Sequence, residues 1–280
     1  MQIIRTVAQM QQVAQRLRAE GKRVALVPTM GALHEGHLSL VDLAKAKADA
    51  VVVSIFVNPT QFGPSEDFES YPRDLDADAE KLRARGADIV FAPERDEIYP
   101  KDFSTYISEE ALSKGLCGAT RSGHFRGVCT VVGILFNIVA PQLAVFGQKD
   151  AQQAAVIRRM VRDLRMGVEI LCGPIVREEN GLAMSSRNAY MVPEQRQDAL
   201  KISEALKIAR RLIDNGVRSA DRVIAEITNH LYTSRRIRVI YAHVVDRETL
   251  APLREIVPGR SMVVLAVWVG EVRLIDNMEI

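Results

Sequence analysis

The chain has 280 residues, 48% of them hydrophobic and 26% charged, and its 37 Lys and Arg against 35 Asp and Glu leave a formal charge of +2. That near balance excludes a surface coated in basic charge for nucleic acid or anionic lipid, and the apolar fraction excludes a disordered chain. No apolar run reaches the length of a bilayer span, residues 1–10 lack a secretory apolar core, and Cys117, Cys129 and Cys172 form no CxxC pair. These features argue against a membrane protein, a disulfide framework and a zinc ribbon, and they predict a cytoplasmic protein.

In chain order, Arg23–Val27 is a β-branched apolar run ending at Pro28, and Leu38–Lys47 has helical spacing with Leu40, Leu43 and Ala44 on one side. Ala50–Val57 is a continuous apolar run, as expected of a strand covered on both faces. A charged helix over Asp74–Arg85 stops at Gly86, and a short strand follows at Asp88–Phe91. A buried helix is expected at Val128–Val139, a strand at Leu143–Phe146, a helix with an arginine-rich outer face at Gln152–Leu164, and a strand at Val168–Leu171. This alternation predicts an α/β fold with a mostly parallel sheet, whose ligands bind beyond the carboxyl ends of the strands. After Pro174 the pattern changes to helices at Glu194–Asn215 and Ala220–Leu231. Strands are then expected at Ile237–Val245, Met262–Val269 and Glu271–Ile275, the last two turning at Gly270. A domain boundary is placed near Cys172–Val176, dividing the chain into 1–175 and 176–280.

Three loops carry residues suited to chemistry. Pro28-Thr29-Met30-Gly31-Ala32-Leu33-His34-Glu35-Gly36-His37 lies between the first core strand and a helix. Gly31 and Gly36 permit close backbone approach, the helix start offers N–H groups to an anion, and two imidazoles three residues apart suit the phosphates of a nucleotide. The spacing is not HExxH, and neither GxxxxGK[ST] nor GxGxxG is present in this loop. The second loop, Phe146-Gly147-Gln148-Lys149-Asp150, again joins strand to helix. Lys149 offers a mobile positive charge, and Asp150 serves equally well as a helix cap. The third, Met184-Ser185-Ser186-Arg187-Asn188, follows an Asn180-Gly181 turn and offers hydroxyl and guanidinium donors to phosphate oxygens. Arg158, Arg159, Arg162 and Arg165 read as a solvated or dimer-facing stripe, and Asp76 and Asp78 as carboxylates on an exposed helix, Asp78 being a weak candidate for Mg²⁺.

PTMGALHEGH, FVNPTQFG, RSGHFRGV, FGQKD and MSSRN, in this order, resemble the pantoate–β-alanine ligases, a branch of the HIGH/KMSKS-type nucleotidyltransferases. The resemblance runs from Val24 to Leu274-Ile275-Asp276-Asn277. It implies a Rossmann-like N-terminal domain, a smaller α+β C-terminal lid domain and a homodimer. The implied reaction is condensation of (R)-pantoate with β-alanine through pantoyl adenylate, using ATP with Mg²⁺ and no organic prosthetic group.

By resemblance, Met30, Gly31, Ala32, Leu33, His34, Glu35, Gly36 and His37 line the ATP site, with His37 donating a proton and His34 assisting at the phosphates. Gly147, Gln148, Lys149 and Asp150 also meet ATP, Val176 sits at the adenine, and Met184, Ser185, Ser186 and Arg187 close over the triphosphate. Lys149 and Arg187 join the histidines as catalytic groups. Gln61 and Gln153 hold pantoate, with Gln61 also beside β-alanine, and His124 supports the site indirectly. The sequence departs from the family pattern at Cys117 and Gln148, where glutamate is usual, and at Ala151, where an aromatic is usual; Cys117 is expected on a surface loop. Two rivals remain. One is a nucleotidyltransferase that releases pyrophosphate without an amine and keeps a dinucleotide product; the other is a nucleotide-binding protein without turnover.

Overall fold

The computed structural model describes residues 1–64 and 66–280. The chain divides into two compact units, Met1–Gln148 with Val156–Pro174, and Lys149–Ala155 with Ile175–Ile280.

The first unit begins with β1 (Gln2–Ile4) and α1 (Val7–Ala19), for which the sequence pattern gave no expectation. There follow β2 (Val24–Thr29), α2 (Glu35–Lys45), β3 (Ala50–Ile55), α3 (Leu75–Ala84) and β4 (Ile89–Phe91). Two four-residue helices, α4 (Arg95–Ile98) and α5 (Cys117–Thr120), precede α6 (His124–Val139), β5 (Leu143–Gly147), α7 (Ala151–Asp163, of which Ala151–Ala155 fall in the second unit) and β6 (Glu169–Gly173). The six strands form one parallel sheet in the order β1-β4-β3-β2-β5-β6. The chain therefore leaves β2 toward β3 and β4 on one side and returns to β5 on the other, which makes the carboxyl ends of β2 and β5 the switch point of the sheet.

Alternate strand residues Ala25, Val27, Val51, Val53, Val90, Leu143 and Val145 pack under Leu38, Leu40, Val41 and Ala44 of α2 and Leu82 of α3. Residues of the opposite parity, Leu26, Val52, Phe91 and Ala144, are equally buried, so both faces are covered; α1 packs against β2 and α6. This is why the strands read as continuous apolar runs and lack in-and-out alternation.

The second unit contains α8 (Pro193–Asp214), α9 (Ala220–Leu231) and the antiparallel sheet β7 (Ile237–Asp246), β8 (Ser261–Val269) and β9 (Val272–Glu279). Pro193 opens α8 where its missing N–H costs nothing, and Gly270, at φ +57°, turns β8 into β9. Ala199, Ile202, Leu206, Ala209 and Ile213 of α8 and Val223, Ile227 and Leu231 of α9 bury against Val263, Leu265 and Val267. The final strand runs to Glu279, well past the expected Ile275, because Val264↔Asn277 and Met262↔Glu279 remain in register with β8. Cys117 is buried, contrary to the surface position expected for it. Among the described residues, no helix is long and apolar enough to cross a membrane.

Candidate functional site

In the first unit, the carboxyl ends of β2, β3 and β5 carry the histidine loop, the Asn58–Gln61 turn, and Gly147 with Gln148. The histidine loop is pinned along its length. Thr29 Oγ1 donates to the Ser54 carbonyl at 2.7 Å and accepts from the Gly31 N–H at 3.2 Å. Gly31 (φ +83°) and Ala32 (φ +50°) both adopt left-handed backbone, and a Cβ on Gly31 would stand 3.0 Å from Asp78 Oδ2 and 3.1 Å from Ile55. For Ala32 this conformation costs on the order of 1 kcal/mol and persists because its neighbours are held. Leu33 is held on both backbone groups: its N–H donates to Asp78 Oδ1 at 2.7 Å, and its carbonyl accepts from Lys81 Nζ at 2.8 Å.

The two imidazoles cap α2 reciprocally. His34 Nδ1 accepts from the Gly36 N–H at 3.1 Å, and His37 Nδ1 accepts from the His34 N–H at 3.4 Å. With Nδ1 of each ring an acceptor, the proton of the neutral imidazole resides on Nε2, which becomes the donating atom. The ring centroids lie 4.1 Å apart. The helix start therefore differs from the sequence expectation of several open N–H groups. The Gly36 N–H meets His34, and the His37 and Leu38 N–H groups already donate to the His34 carbonyl at 2.8 and 3.1 Å. The donors this loop can offer an anion are therefore the imidazole Nε2 atoms.

Asp78 is not the solvated carboxylate that its helix suggested. It is 2% exposed, burial pushes its carboxyl above the usual range against the opposing pull of the Leu33 N–H, and Oδ2 makes no hydrogen bond among the described residues. A carboxyl so enclosed, with one oxygen committed to Leu33, does not suit Mg²⁺, which keeps much of its water and wants octahedral oxygen ligands. No group of three His, Cys, Asp or Glu side chains among the described residues is arranged for a metal.

Gln61 sits in a short 3₁₀ turn (Pro59–Gln61) after β3, and every part of it is oriented. Its Oε1 accepts from Asn58 Nδ2 at 3.0 Å, and its Nε2 donates to Met30 Sδ at 3.1 Å, tying it to the histidine loop. Asn58, 1% exposed, accepts from Tyr99 and Thr60 hydroxyls at 2.8 and 2.9 Å and donates to the Gly127 carbonyl at 3.1 Å. Behind the turn, Arg121 donates to His124 Nε2 at 2.8 Å, so His124 Nδ1–H donates to the Gln61 carbonyl, also at 2.8 Å. Arg121 in turn grips Glu66 with two bonds of 2.6 and 2.7 Å. Burial opposes ionisation of Glu66, yet the Arg121 hydrogen bonds and charge and the Gly63 N–H outweigh it and hold the carboxyl at about 2. Asn58, Tyr99, Arg121 and Glu66 were not singled out from the sequence. Asn58 and Arg121 lie inside FVNPTQFG and RSGHFRGV, where the resemblance assigns roles only to Gln61 and His124.

The second unit holds the remaining candidates. Lys149 and Asp150 lie in a 3₁₀ turn (Gln148–Asp150), Lys149 Nζ standing 3.9 Å from Asp150 Oδ2, and Gln153 is half-buried in the first turn of α7. The Lys149 carbonyl accepts from Asn277 Nδ2 at 3.0 Å. Val176 and Met184 meet through a backbone bond in which the Met184 N–H donates to the Val176 carbonyl at 3.0 Å. Ser185 Oγ caps the next turn (Ser186–Tyr190) by accepting from the Arg187 N–H at 3.3 Å, which leaves its own hydroxyl proton to donate.

Known proteins match this chain from end to end. The family model for pantoate-beta-alanine ligase matches residues 2–279. Pantothenate synthetase of Thermotoga petrophila is 54% identical over 277 residues, covering 99% of each chain. A crystal structure of pantothenate synthetase from Thermus thermophilus superposes with a TM-score of 0.95 at 45% identity, covering 100% of this chain and 99% of that one. The pantoate-beta-alanine ligase of Francisella tularensis, solved with beta-gamma ATP and beta-alanine, gives a TM-score of 0.83 at 33% identity, covering 100% of this chain and 97% of that one. With the histidine loop, the oriented Gln61 and these matches together, the chain belongs to the pantoate–β-alanine ligase family.

Proposed function

We infer that the chain condenses pantoate with β-alanine to pantothenate at the expense of ATP, releasing AMP and pyrophosphate. A pantoate carboxylate oxygen attacks the α-phosphorus, the bond to the bridging oxygen breaks, and pyrophosphate leaves. The amine of β-alanine then attacks the acyl carbon, AMP departs, and the amine gives up a proton. The observation that carries this reading is the pair of capped imidazoles beside a glutamine bonded to Met30, a donor set for developing phosphate charge next to a neutral amide for a hydroxy acid.

In the first step negative charge grows on the departing pyrophosphate, and fixed cationic and N–H donors stabilise it without reorganising. His37 Nε2–H donates there, assisted by His34, Lys149 and Arg187. ATP further contacts residues 30–36, Gly147, Gln148, Asp150, Val176 and Met184 to Ser186. Gln61 and Gln153 orient pantoate as neutral amides, so they add no cation that would quench the attacking carboxylate, and Gln61 also borders β-alanine. Holding two small reactants in attacking geometry removes a large entropic part of the barrier. Mg²⁺ arriving with ATP would supply charge neutralisation, and the Asp78 carboxyl, committed to Leu33, would not hold it. We place the enzyme in the cytoplasm as a homodimer acting on these small molecules, and sedimentation of the purified chain tests the dimer.

The deciding assay follows AMP and pyrophosphate release with Mg²⁺-ATP present, adding pantoate and β-alanine separately and together. Sustained AMP formation only with both supports the reading. Pyrophosphate release that never requires the amine, with a stable adenylylated product, would establish the nucleotidyltransferase alternative.

A further inference from the structure

We propose that Asp276 and Asn277, neighbours on β9, are positioning residues that set the two separate loops bearing Lys149 and Ser185 to Arg187. The proposal rests on the reading of Lys149 and Arg187 as phosphate-contacting groups.

Consecutive strand residues point to opposite faces, so a polar pair buried side by side reaches in two directions. Asp276 is 3% and Asn277 4% exposed, in a strand whose partner β8 is apolar at the paired positions Leu265 and Val264. Polar groups in such a place cost stability unless bonded, and both are bonded to loops. The Asp276 carboxylate receives both arms of Arg177, at 2.7 and 2.9 Å, and the Asn277 N–H at 2.8 Å. Arg177 also donates to the Gly181 carbonyl at 3.1 Å and bridges Ala183 across the Asn180-Gly181 turn. The fork thus fixes the hairpin that leads directly into Met184, Ser185, Ser186 and Arg187. At the far end of that segment, Asn188 Nδ2 donates to Glu178 at 2.9 Å and to the Ala183 carbonyl at 3.1 Å, while Arg196 holds Glu178 at 2.5 Å. In the other direction, Asn277 Nδ2 holds the Lys149 carbonyl across 128 positions of sequence.

Lysine and arginine are long and lose much rotamer freedom when they meet a phosphate, so their value in a transition state depends on how firmly the backbone beneath them is placed. Buried positions in register with β8, on the edge strand of the three-stranded sheet, supply that firmness for both loops at once. Asn277 therefore acts on the reaction through Lys149.

The experiment is a double-mutant comparison on the full-length chain, measuring pantoate-dependent pyrophosphate release together with melting temperature. Asn277→Asp preserves shape and replaces the donor by an oxygen facing the Lys149 carbonyl; Asn277→Ala carries the same comparison if the aspartate variant does not fold. The expected result is a tenfold or greater fall in adenylation kcat with the KM for pantoate within about twofold. In a Lys149→Ala background the Asn277 change should add less than about twofold further loss. Equal loss from the Asn277 change in both backgrounds would mark a general structural role and overturn the proposal. Full activity of Asn277→Asp beside an inactive Lys149→Ala overturns the clamp and leaves the reading of Lys149 standing. Full activity of Lys149→Ala refutes that reading and the clamp with it.

Discussion

Gly127 offers a test in which local propensity and tertiary packing predict opposite signs. It lies inside α6 with ordinary negative φ, so on an open helix alanine would be favoured there by about 1 kcal/mol. Here a Cβ would stand 2.3 Å from the Thr60 carbonyl oxygen, 2.5 Å from its carbon and 2.7 Å from the Gln61 nitrogen. Ordinary contact begins at 3.4 Å, so the turn or the helix must shift by about 1 Å. The opposing atoms are backbone, and Asn58 Nδ2 already ties this turn to the Gly127 carbonyl, so no side chain can rotate out of the way. Overpacking of this kind costs about 1–3 kcal/mol, which cancels or exceeds the helical gain. Gly127→Ala should accordingly lower the melting temperature by a few degrees, at roughly 2–4 °C per kcal/mol for a chain of this size. Because Gln61 moves with the turn, kcat/KM for pantoate should fall by up to about 100-fold, with ATP affinity nearly unchanged. Gly133→Ala is the control, since its Cβ meets the end of the Ile107 side chain, which can swing aside. A Gly127→Ala enzyme that melts higher than the parent and uses pantoate normally would refute both the packing argument and the placement of Gln61.

Other outcomes follow from the same geometry. His37→Ala should cut the adenylation rate far more than it weakens ATP binding; weak binding at a preserved maximal rate would sink the assignment of His37 Nε2 to transition-state charge. Glu66 ionises in the fold at about 2, below its ordinary value of 4.5, so its stabilisation is complete above about pH 4.5 and lost as the pH falls toward 2. With a side chain only 22% exposed, the effect is of order 2–3 kcal/mol. Melting of Glu66→Gln should lag the parent near neutral pH and converge with it in acid, and a constant gap at both would contradict the Arg121 pairing. Burial pushes the Cys129 thiol up to about 12, so alkylation near pH 8 should spare Cys129 in the folded chain and reach it only in denaturant.

The sequence by itself determined which loops along the chain are candidates for the chemistry. Pro28 to His37, Phe146 to Asp150 and Met184 to Asn188 are recognisable because strand endings, glycines and helix starts are encoded within a few residues of one another. The largely apolar runs at 23–27 and 50–57 likewise announced strands, and β2 (Val24–Thr29) and β3 (Ala50–Ile55) form there. Only the tertiary structure decided how those loops are held. Asp78 reads as solvated because its helix is charged, yet 45 residues separate it from the Leu33 N–H that it binds, and no local pattern encodes that distance. The occupation of both imidazole Nδ1 atoms depends on backbone geometry within the loop, which residue identity alone leaves open. β1 and α1 escaped notice because three strand residues and a helix rich in glutamine and arginine carry little hydrophobic signal until β4 and α6 are present to pack on. Asp276 and Asn277 look like an ordinary strand ending, and they gain their meaning from Arg177 and Lys149, 99 and 128 positions away. Propensity and periodicity act over a few residues; side-chain hydrogen bonds in a folded core join residues of any separation, and there the positioning of this site is decided.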